Sequence, residues 1–268
     1  MGHGMAIEST DDAAPTRPPD TAPDALPEPP LLDQGHALLL DFDGTLVGIA
    51  PRPDAVRVDP RLPALLQALQ ARLGGAFAII TGRLLQDVDQ RLAPLRFLGA
   101  GLHGAQLRLD PADPANVPRD EQMAWIARDL AMRLRDHVNV LIEDKGRSIA
   151  VHFRQAPEAE AACRAAVAQA IEGIPTLEMI EGHCLFEARR RGASKEHAVD
   201  TLCEHPWFSG RMPVVLGDDR TDEDAFRAAD RRGGIGVRVG PDATRAPYRL
   251  AGVEAVHRWL RASAEALS

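Results

Sequence analysis

The chain has 268 residues, of which 45% are hydrophobic, and a formal net charge of −8 at pH 7. This length can bury the core of one large domain or two smaller ones. The acidic charge argues against a nucleic-acid-binding surface, and no apolar run approaches membrane-spanning length. Because the three cysteines form no CxxC pair and the N-terminus lacks signal-peptide features, we expect a cytoplasmic protein with free thiols.

Residues 1–33 are rich in proline and contain few large apolar side chains. Such a segment cannot bury enough apolar surface to offset the entropy of ordering. We therefore expect a disordered leader, and a docking tail is the alternative.

From Ala37 onward, buried strands alternate with helices. Strands are predicted at Ala37–Leu40, Ala76–Ile80 and Phe97–Ala100, with helices between them at Arg61–Arg72 and Leu84–Leu92. The same alternation returns near the C-terminus with a helix at Lys195–Cys203, a strand at Val214–Leu216, a helix at Asp222–Ala229, a strand at Ile235–Val239 and a helix at Val253–Ala266. This order predicts a parallel sheet with helices on both faces.

The middle of the chain has a different pattern. Two helices are predicted, at Glu121–His137 and Ala156–Glu172, together with two hairpin-like pairs of strands. The paired strands are Val138–Glu143 with Ser148–Phe153, and Thr176–Ile180 with Cys184–Ala188. The fold class is therefore α/β, with a Rossmann-like parallel-sheet core and an inserted α+β domain that has an antiparallel sheet and two helices. An inserted domain of this kind suits a cap over a cleft, where ligands are preferentially bound.

Two carboxylates follow the first strand, in Asp41-Phe42-Asp43-Gly44-Thr45. Side chains alternate along a strand, so Asp41 and Asp43 point to one side at the edge where open α/β sheets bind ligands. Their mutual repulsion favours a cation between them, and a metal-bound Asp is a plausible nucleophile. The alternative is an ordinary Asp-Gly turn.

Residues in three later segments could complete a site for a phosphoryl group. Thr81 ends the second strand in Thr81-Gly82-Arg83, where it either holds a phosphoryl oxygen or caps a helix. Lys195 begins a helix, where a cation is unfavourable without an anionic partner; a solvated surface lysine is the alternative. Asp218 and Asp219 follow a third strand and offer the hard oxygen ligands that Mg²⁺ prefers. The acidic residues 222–224 need no functional explanation, because acidic side chains are favoured at a helix N-terminus.

Taken in order, these motifs resemble the four motifs of the haloacid-dehalogenase-like (HAD) phosphatases. The resemblance implies that Asp41 is the nucleophile and Asp43 the general acid and base. It also implies that Thr81 and Lys195 hold the phosphoryl group. The Mg²⁺ site that it implies consists of Asp41, Asp43, Asp218 and Asp219.

Further motifs make the chain similar to the trehalose-6-phosphate phosphatases from about residue 31 to the end. These motifs are Gly101-Leu102-His103-Gly104, Glu143-Asp144-Lys145, His152-Phe153-Arg154, Gly192-Ala193-Ser194-Lys195 and Gly217-Asp218-Asp219 with the acidic residues that follow. The resemblance implies a core at 34–108 and 190–268 and a sugar-recognising cap at 109–189. It implies substrate binding by Arg83, His103, Gly104, Glu143, Lys145, Arg154 and Glu187.

The cap residues also have an interpretation of their own. Glu143 and Lys145 would share one face of a strand, and His152 and Arg154 one face of the next. Such a row of charged groups can bind sugar hydroxyls, or it can be an exposed face with cross-strand ion pairs. His103 either lines the cleft or is an ordinary turn residue.

The function expected from the resemblance is Mg²⁺-dependent hydrolysis of trehalose 6-phosphate through an aspartyl-phosphate, the last step of trehalose biosynthesis. We expect a monomer whose partner is this small molecule, with neither nucleic acid nor a membrane. The alternatives are a phosphatase for another sugar phosphate, a mutase, and a non-catalytic regulator that binds a sugar phosphate.

Overall fold

Two sheets organise the structure, a computed structural model that describes residues 26–50, 52–114, 120–182 and 184–267. The strands are β1 (His36–Leu40), β2 (Phe77–Ile80), β3 (Leu98–Gly101), β4 (Gln106–Arg108), β5 (Leu141–Asp144), β6 (Ser148–His152), β7 (Leu177–Gly182), β8 (Leu185–Arg190), β9 (Met212–Gly217), β10 (Ile235–Val239) and β11 (Tyr248–Leu250).

Helices cover both sheets. The α-helices are α1 (Leu62–Arg72), α2 (Leu85–Leu92), α3 (Glu121–Arg133), α4 (Glu160–Ala170), α5 (Lys195–Cys203), α6 (Asp222–Arg231) and α7 (Val253–Ala266). Short 3₁₀ turns occur at Pro53–Ala55, Leu102–Gly104 and Pro157–Ala159.

The larger sheet has seven strands in the order β11-β10-β9-β1-β2-β3-β4. All neighbouring strands in it run parallel except β3 and β4, which are antiparallel. Strands β1 and β2 are buried along their whole length, as expected for apolar strands with helices on both faces. The parallel α/β core predicted from the sequence is confirmed.

The register of the central strands determines where the candidate site lies. Leu40 at the end of β1 is paired with Ile79 of β2 and with Leu216 of β9. The residues that follow these strands therefore emerge at the same edge of the sheet. Asp41, Thr81 and Asp218 are among them.

The smaller sheet has four antiparallel strands in the order β5-β6-β8-β7. Helices α3 and α4 contribute to a second hydrophobic cluster that includes Leu130, Val167 and Phe186, separate from the cluster of the larger sheet. The predicted combination of an antiparallel sheet and two helices is confirmed.

Several element boundaries differ from the predicted ones. The sequence predicts a helix to His137, but α3 ends at Arg133 and a turn follows. The helix predicted from Ala156 begins instead as a 3₁₀ turn, and α4 begins at Glu160. Strands β4 and β11 are not predicted because each has only three residues, too few for an alternating pattern to be recognised.

Ordered structure begins closer to the N-terminus than the sequence predicts. Residues 1–25 of the expected leader lie outside the described residues. Within residues 26–33, the indole Nε1 of Trp259 donates to the carbonyls of Pro29 (3.2 Å) and Pro30 (3.1 Å). The backbone N–H of Arg249 in β11 donates to the carbonyl of Pro27 at 3.0 Å, and Leu32 is buried. The expectation of disorder to residue 33 is therefore wrong for this part, because proline carbonyls can accept hydrogen bonds even though the residue cannot donate one.

Among the described residues, no helix is both long and apolar enough to cross a membrane.

Candidate active site

The ammonium group of Lys195 lies between two buried carboxylates. Its Nζ donates to Oδ1 of Asp41 and to Oδ1 of Asp222, each at 2.6 Å. Lys195 is the first residue of α5, and the hydroxyl of Ser194 caps that helix by accepting from the N–H of His197. The two carboxylates compensate for the unfavourable position of a cation at a helix N-terminus.

The carboxylates around Lys195 alter one another's proton affinity. Burial raises the pKa of Asp41 well above its usual value, and Asp222 and Asp218 add to this effect while Lys195 opposes it. Burial, followed by the charge of Asp222, raises the pKa of Asp218 to about 6. Burial alone would lower the pKa of Lys195, but Asp222 and Asp41 raise it above its usual range, so the lysine stays charged.

Asp41, Asp218 and Asp222 form a candidate metal centre. Each offers an oxygen, and these oxygens all lie within 4.8 Å of one another. Gly44 has a φ of +77° beside this group, and a Cβ at that position would collide with the Asp218 carboxylate. An excess of buried carboxylates over cations and a hard oxygen donor set fit a magnesium ion.

This group differs from the predicted ligand set. Asp41 and Asp218 belong to it, whereas the Asp43 side chain pairs with an arginine, and the Asp219 carboxylate accepts from the N–H of Arg220 at 2.6 Å. Asp222 was missed because acidic residues in a first helical turn are expected without any function. Its burial distinguishes it, and burial is not visible in a sequence.

The guanidinium of Arg83 holds Asp43. Its Nε donates to Oδ2 at 2.6 Å and its Nη2 to Oδ1 at 2.8 Å, which is the bidentate geometry of a strong ion pair. Its Nη1 donates to Asp87 at 2.6 Å. Arg83, predicted as a substrate-binding residue, thus contacts Asp43, the predicted acid and base. Asp87 of α2 holds the other side of the Arg83 guanidinium.

Thr81 lies at the carboxyl end of β2 and is almost fully buried. Its hydroxyl accepts from the N–H of Arg83 at 3.1 Å, and its own N–H donates to Ala100 of β3 at 2.8 Å. The loop Thr81–Arg83 is therefore held by one hydrogen bond within the loop and by another to the neighbouring strand. We call it the phosphate loop, after its expected role.

The turn after β3 has an unusual backbone. Leu102 and His103 both have left-handed φ values, +51° and +52°. Such a conformation costs a non-glycine residue about 1–3 kcal/mol, so the surrounding structure must impose it. Gly104 follows with φ +99° and lies so close to Ser194 that a Cβ would collide with the serine carbonyl oxygen.

The smaller sheet contacts the core above this turn. The Lys145 Nζ lies 3.5 Å from the carbonyl oxygen of Gly82 and 3.8 Å from Oε1 of Glu187. Glu187 is 2% exposed, and its Oε2 lies 3.8 Å from Nε2 of His103. Burial tends to raise the pKa of Glu187, but Lys145, His103, Ser148 and Arg189 together outweigh it, and the pKa lies below the usual range. Burial lowers the pKa of His103 to about 4, so its imidazole is neutral at pH 7.

The predicted sugar-binding residues are not all brought together. Glu143 and Glu187 flank Ala150 in adjacent strands, which places them on one face of the smaller sheet. The Glu143 Oε2 accepts a hydrogen bond from Nε2 of His152 at 3.0 Å. The sequence predicts that Arg154 shares a strand face with His152, but β6 ends at His152 and Arg154 lies in an exposed turn. Lys145 likewise lies just beyond β5.

One further residue supports the site without having been predicted. Arg238 of β10 is buried, and its Nη1 donates to the carbonyl of Asp219 at 3.1 Å while its Nη2 donates to Asp242 at 2.9 Å. It thus fixes the loop between β9 and α6 that carries Asp218. An arginine within the apolar strand Ile235–Val239 is the signal that could have identified it.

Comparison with known proteins gives consistent results. The trehalose-phosphatase family profile matches residues 39–254. The trehalose-6-phosphate phosphatase of Escherichia coli (strain K12) is 37% identical over 246 residues, which cover 90% of this chain and 91% of that protein. A solved trehalose-6-phosphate phosphatase related protein superposes with a TM-score of 0.71 at 25% identity, covering 85% of this chain and 97% of the other. A haloacid dehalogenase-like hydrolase from B. subtilis shares the fold alone, with a TM-score of 0.58 at 16% identity over 84% of this chain and 99% of its own.

Proposed function

Because this chain belongs to the trehalose-phosphatase family, we propose that it hydrolyses trehalose 6-phosphate to trehalose and phosphate by covalent catalysis at Asp41. One observation carries the proposal. A buried ammonium group bridges Asp41 and Asp222, with Asp218 beside them, at the carboxyl edge of a parallel sheet. Such a cluster can orient a nucleophilic carboxylate and offset the charge of a phosphoryl group.

In the first step, a carboxylate oxygen of Asp41 attacks phosphorus. The bond between phosphorus and the sugar oxygen breaks, and Asp43 gives a proton to that leaving oxygen. Lys195 and Thr81 face the phosphoryl oxygens as positive charge and as hydrogen-bond donor, respectively. Arg83 keeps the Asp43 carboxyl in place through its two hydrogen bonds.

In the second step, Asp43 takes a proton from water, and the water oxygen attacks the phosphorus of the aspartyl-phosphate. The bond between phosphorus and Asp41 breaks, which releases phosphate and restores the carboxylate. A magnesium ion held by Asp41, Asp218 and Asp222 would supply further positive charge against the phosphoryl oxygens.

The domain assignment is part of the proposal. Residues 34–108 and 190–268 would form the catalytic core, and 109–189 the cap that recognises the sugar. The presence of two separate hydrophobic clusters supports this division. Glu187 and Lys145, with Glu143 on the same sheet, would bind sugar hydroxyls as acceptors and donors.

The test is phosphate release from trehalose 6-phosphate, compared with glucose 6-phosphate and sucrose 6-phosphate. We expect release with magnesium ions that EDTA abolishes, and a preference for trehalose 6-phosphate. Equal turnover of all three would point to a phosphatase of broader specificity. Release of no phosphate from any of them would contradict an enzymatic role for this site.

A further inference from the structure

The turn Leu102–Gly104 connects three parts of the candidate site. On one side, two successive N–H groups reach the phosphate loop: Leu102 donates to the carbonyl of Arg83 and His103 to that of Thr81, each at 3.0 Å. Both donors belong to residues whose φ lies in the left-handed region. The strain of the turn is therefore used to hold the phosphate loop at both of its ends.

On another side, the turn abuts the start of α5. Gly104 lies against the backbone of Ser194, the residue before Lys195. Thr81 and Lys195, the two residues proposed to hold the phosphoryl group, are thus positioned by the same three-residue turn.

The third contact is the His103 side chain, which reaches the smaller sheet. Its ring covers Gly82 so closely that a Cβ there would lie 2.6 Å from Nε2. The same Nε2 lies 3.8 Å from Oε2 of Glu187. A hydrogen bond is about 1 Å shorter, so a movement of the smaller sheet by that amount would complete it.

Two buried atoms at this contact make no hydrogen bond to the described residues. Across the described part of the chain, neither Nδ1 of His103 nor Oε1 of Glu187 has a hydrogen-bond partner. A neutral imidazole that donates through Nε2 accepts through Nδ1. Both atoms are then hydrogen-bond acceptors that lack a donor among the described residues within hydrogen-bond distance, and the hydroxyl groups of a sugar are donors of the matching kind.

We propose that His103 is a positioning residue that couples the Glu187 carboxylate to the phosphate loop, so that sugar recognition and phosphoryl alignment depend on each other. The inference rests on the proposed function, since it assigns the sugar of a sugar phosphate to this contact. A residue that only supported the fold would affect turnover whether or not Glu187 was present. A coupling residue would affect turnover only when Glu187 is present, and this difference is measurable.

The experiment is a double-mutant cycle on trehalose 6-phosphate with saturating magnesium, using His103→Asn, Glu187→Gln and both together. Asn tolerates left-handed φ values, so the first variant keeps the backbone and removes the imidazole. We expect each single variant to lower kcat/KM by about 10- to 100-fold, as misaligned substrates do. The kcat/KM of the double variant should then be no more than about 3-fold below that of the less active single variant, since both changes break one interaction.

Losses that multiply in the double variant would overturn the proposal, as would wild-type activity of His103→Asn. If that variant fails to fold, His103→Gly replaces it, because glycine carries no penalty at this φ. His197→Asn, on the exposed side of α5, is the matched control and should retain full activity. Wild-type protein that releases no phosphate from trehalose 6-phosphate would overturn the proposed function and this inference together, whereas multiplying losses in an active enzyme overturn the inference alone.

Discussion

Lys195 shows how a single side chain can organise a site. A buried ammonium without partners would cost several kcal/mol, and it is stabilised here by Asp41 and Asp222. The same contacts fix the orientation of the Asp41 carboxylate before substrate arrives. Motif order in the sequence predicted that Asp41 and Lys195 act together. It did not predict Asp222, because the sequence shows three acidic residues in one helical turn and not which of them is buried.

Asp41→Asn should lower phosphate release by at least about 10⁴-fold, because an amide cannot replace the carboxylate nucleophile. Colorimetric phosphate detection on trehalose 6-phosphate would measure this, and the variant should still unfold cooperatively. Asp136→Asn, at a side chain that is 86% exposed, is the control and should retain full activity. Normal release by Asp41→Asn would refute its role as nucleophile.

Magnesium should stabilise the protein more at pH 8 than at pH 5. The pKa of Asp218 is raised to about 6, so at pH 5 a proton occupies much of this carboxyl and competes with the ion. Without metal, the Asp218 carboxyl binds more protons in the folded state than in the unfolded state between about pH 4 and 6, so the contribution of this group to stability falls as the pH rises through this window. At pH 8 the carboxylate is ionised, and the cation relieves the repulsion.

Thermal unfolding with magnesium and with EDTA at both pH values would measure the effect as a difference in Tm. Asp218→Asn has no group to titrate at this position and should show a smaller magnesium effect at pH 8. A magnesium effect as large at pH 5 as at pH 8 would contradict the assignment of Asp218 to the metal centre.

At the scale of elements, a tight turn connects the strands and helices that carry the residues of the site. The long periodic elements were predicted well: α5, β10 and α7 have the predicted bounds. The turn at Leu102–Gly104 was recognised only as a motif. Its left-handed backbone depends on tertiary contacts with the phosphate loop and Ser194, which no local sequence preference specifies.

Gly104→Ala should destabilise the protein by about 3 kcal/mol or more and reduce activity. The substitution adds a Cβ at φ +99° and drives it against the Ser194 carbonyl. Gly240→Ala is the matched control, since Gly240 has φ +86° but nothing within 4 Å of a Cβ. It should cost only the backbone penalty of about 1–2 kcal/mol. Equal losses in urea unfolding would show that close packing against Ser194 is unimportant.

At the scale of the molecule, two hydrophobic clusters are joined by polar contacts. The contacts of Lys145 with Gly82 and of Glu187 with His103 are 3.5 Å or longer. Composition and periodicity were enough to predict the split core and its insert. The N-terminal boundary of order was misjudged because Leu32 and the prolines around it pack against a helix more than 220 residues further along the chain.

Leu32→Ala should lower the free energy of unfolding by about 2–3 kcal/mol, because the side chain is 2% exposed. Leu31→Ala provides a control at the adjacent position, where the side chain is 45% exposed and the change should stay within about 0.5 kcal/mol. Urea unfolding of both variants gives the comparison. Equal effects would mean that this segment does not contribute to the folded core.

The hydrogen bond from Arg249 to Pro27 affects whether the sheets of two molecules of this protein can pair at their edges. β11 is an outer strand of the seven-stranded sheet, and an outer strand offers unpaired backbone groups to any strand that approaches. The segment beside it contains Pro27, Pro29 and Pro30, which accept hydrogen bonds but have no N–H to extend the ladder. It therefore ends the sheet at this side and protects it from the edge-to-edge pairing that leads to aggregation.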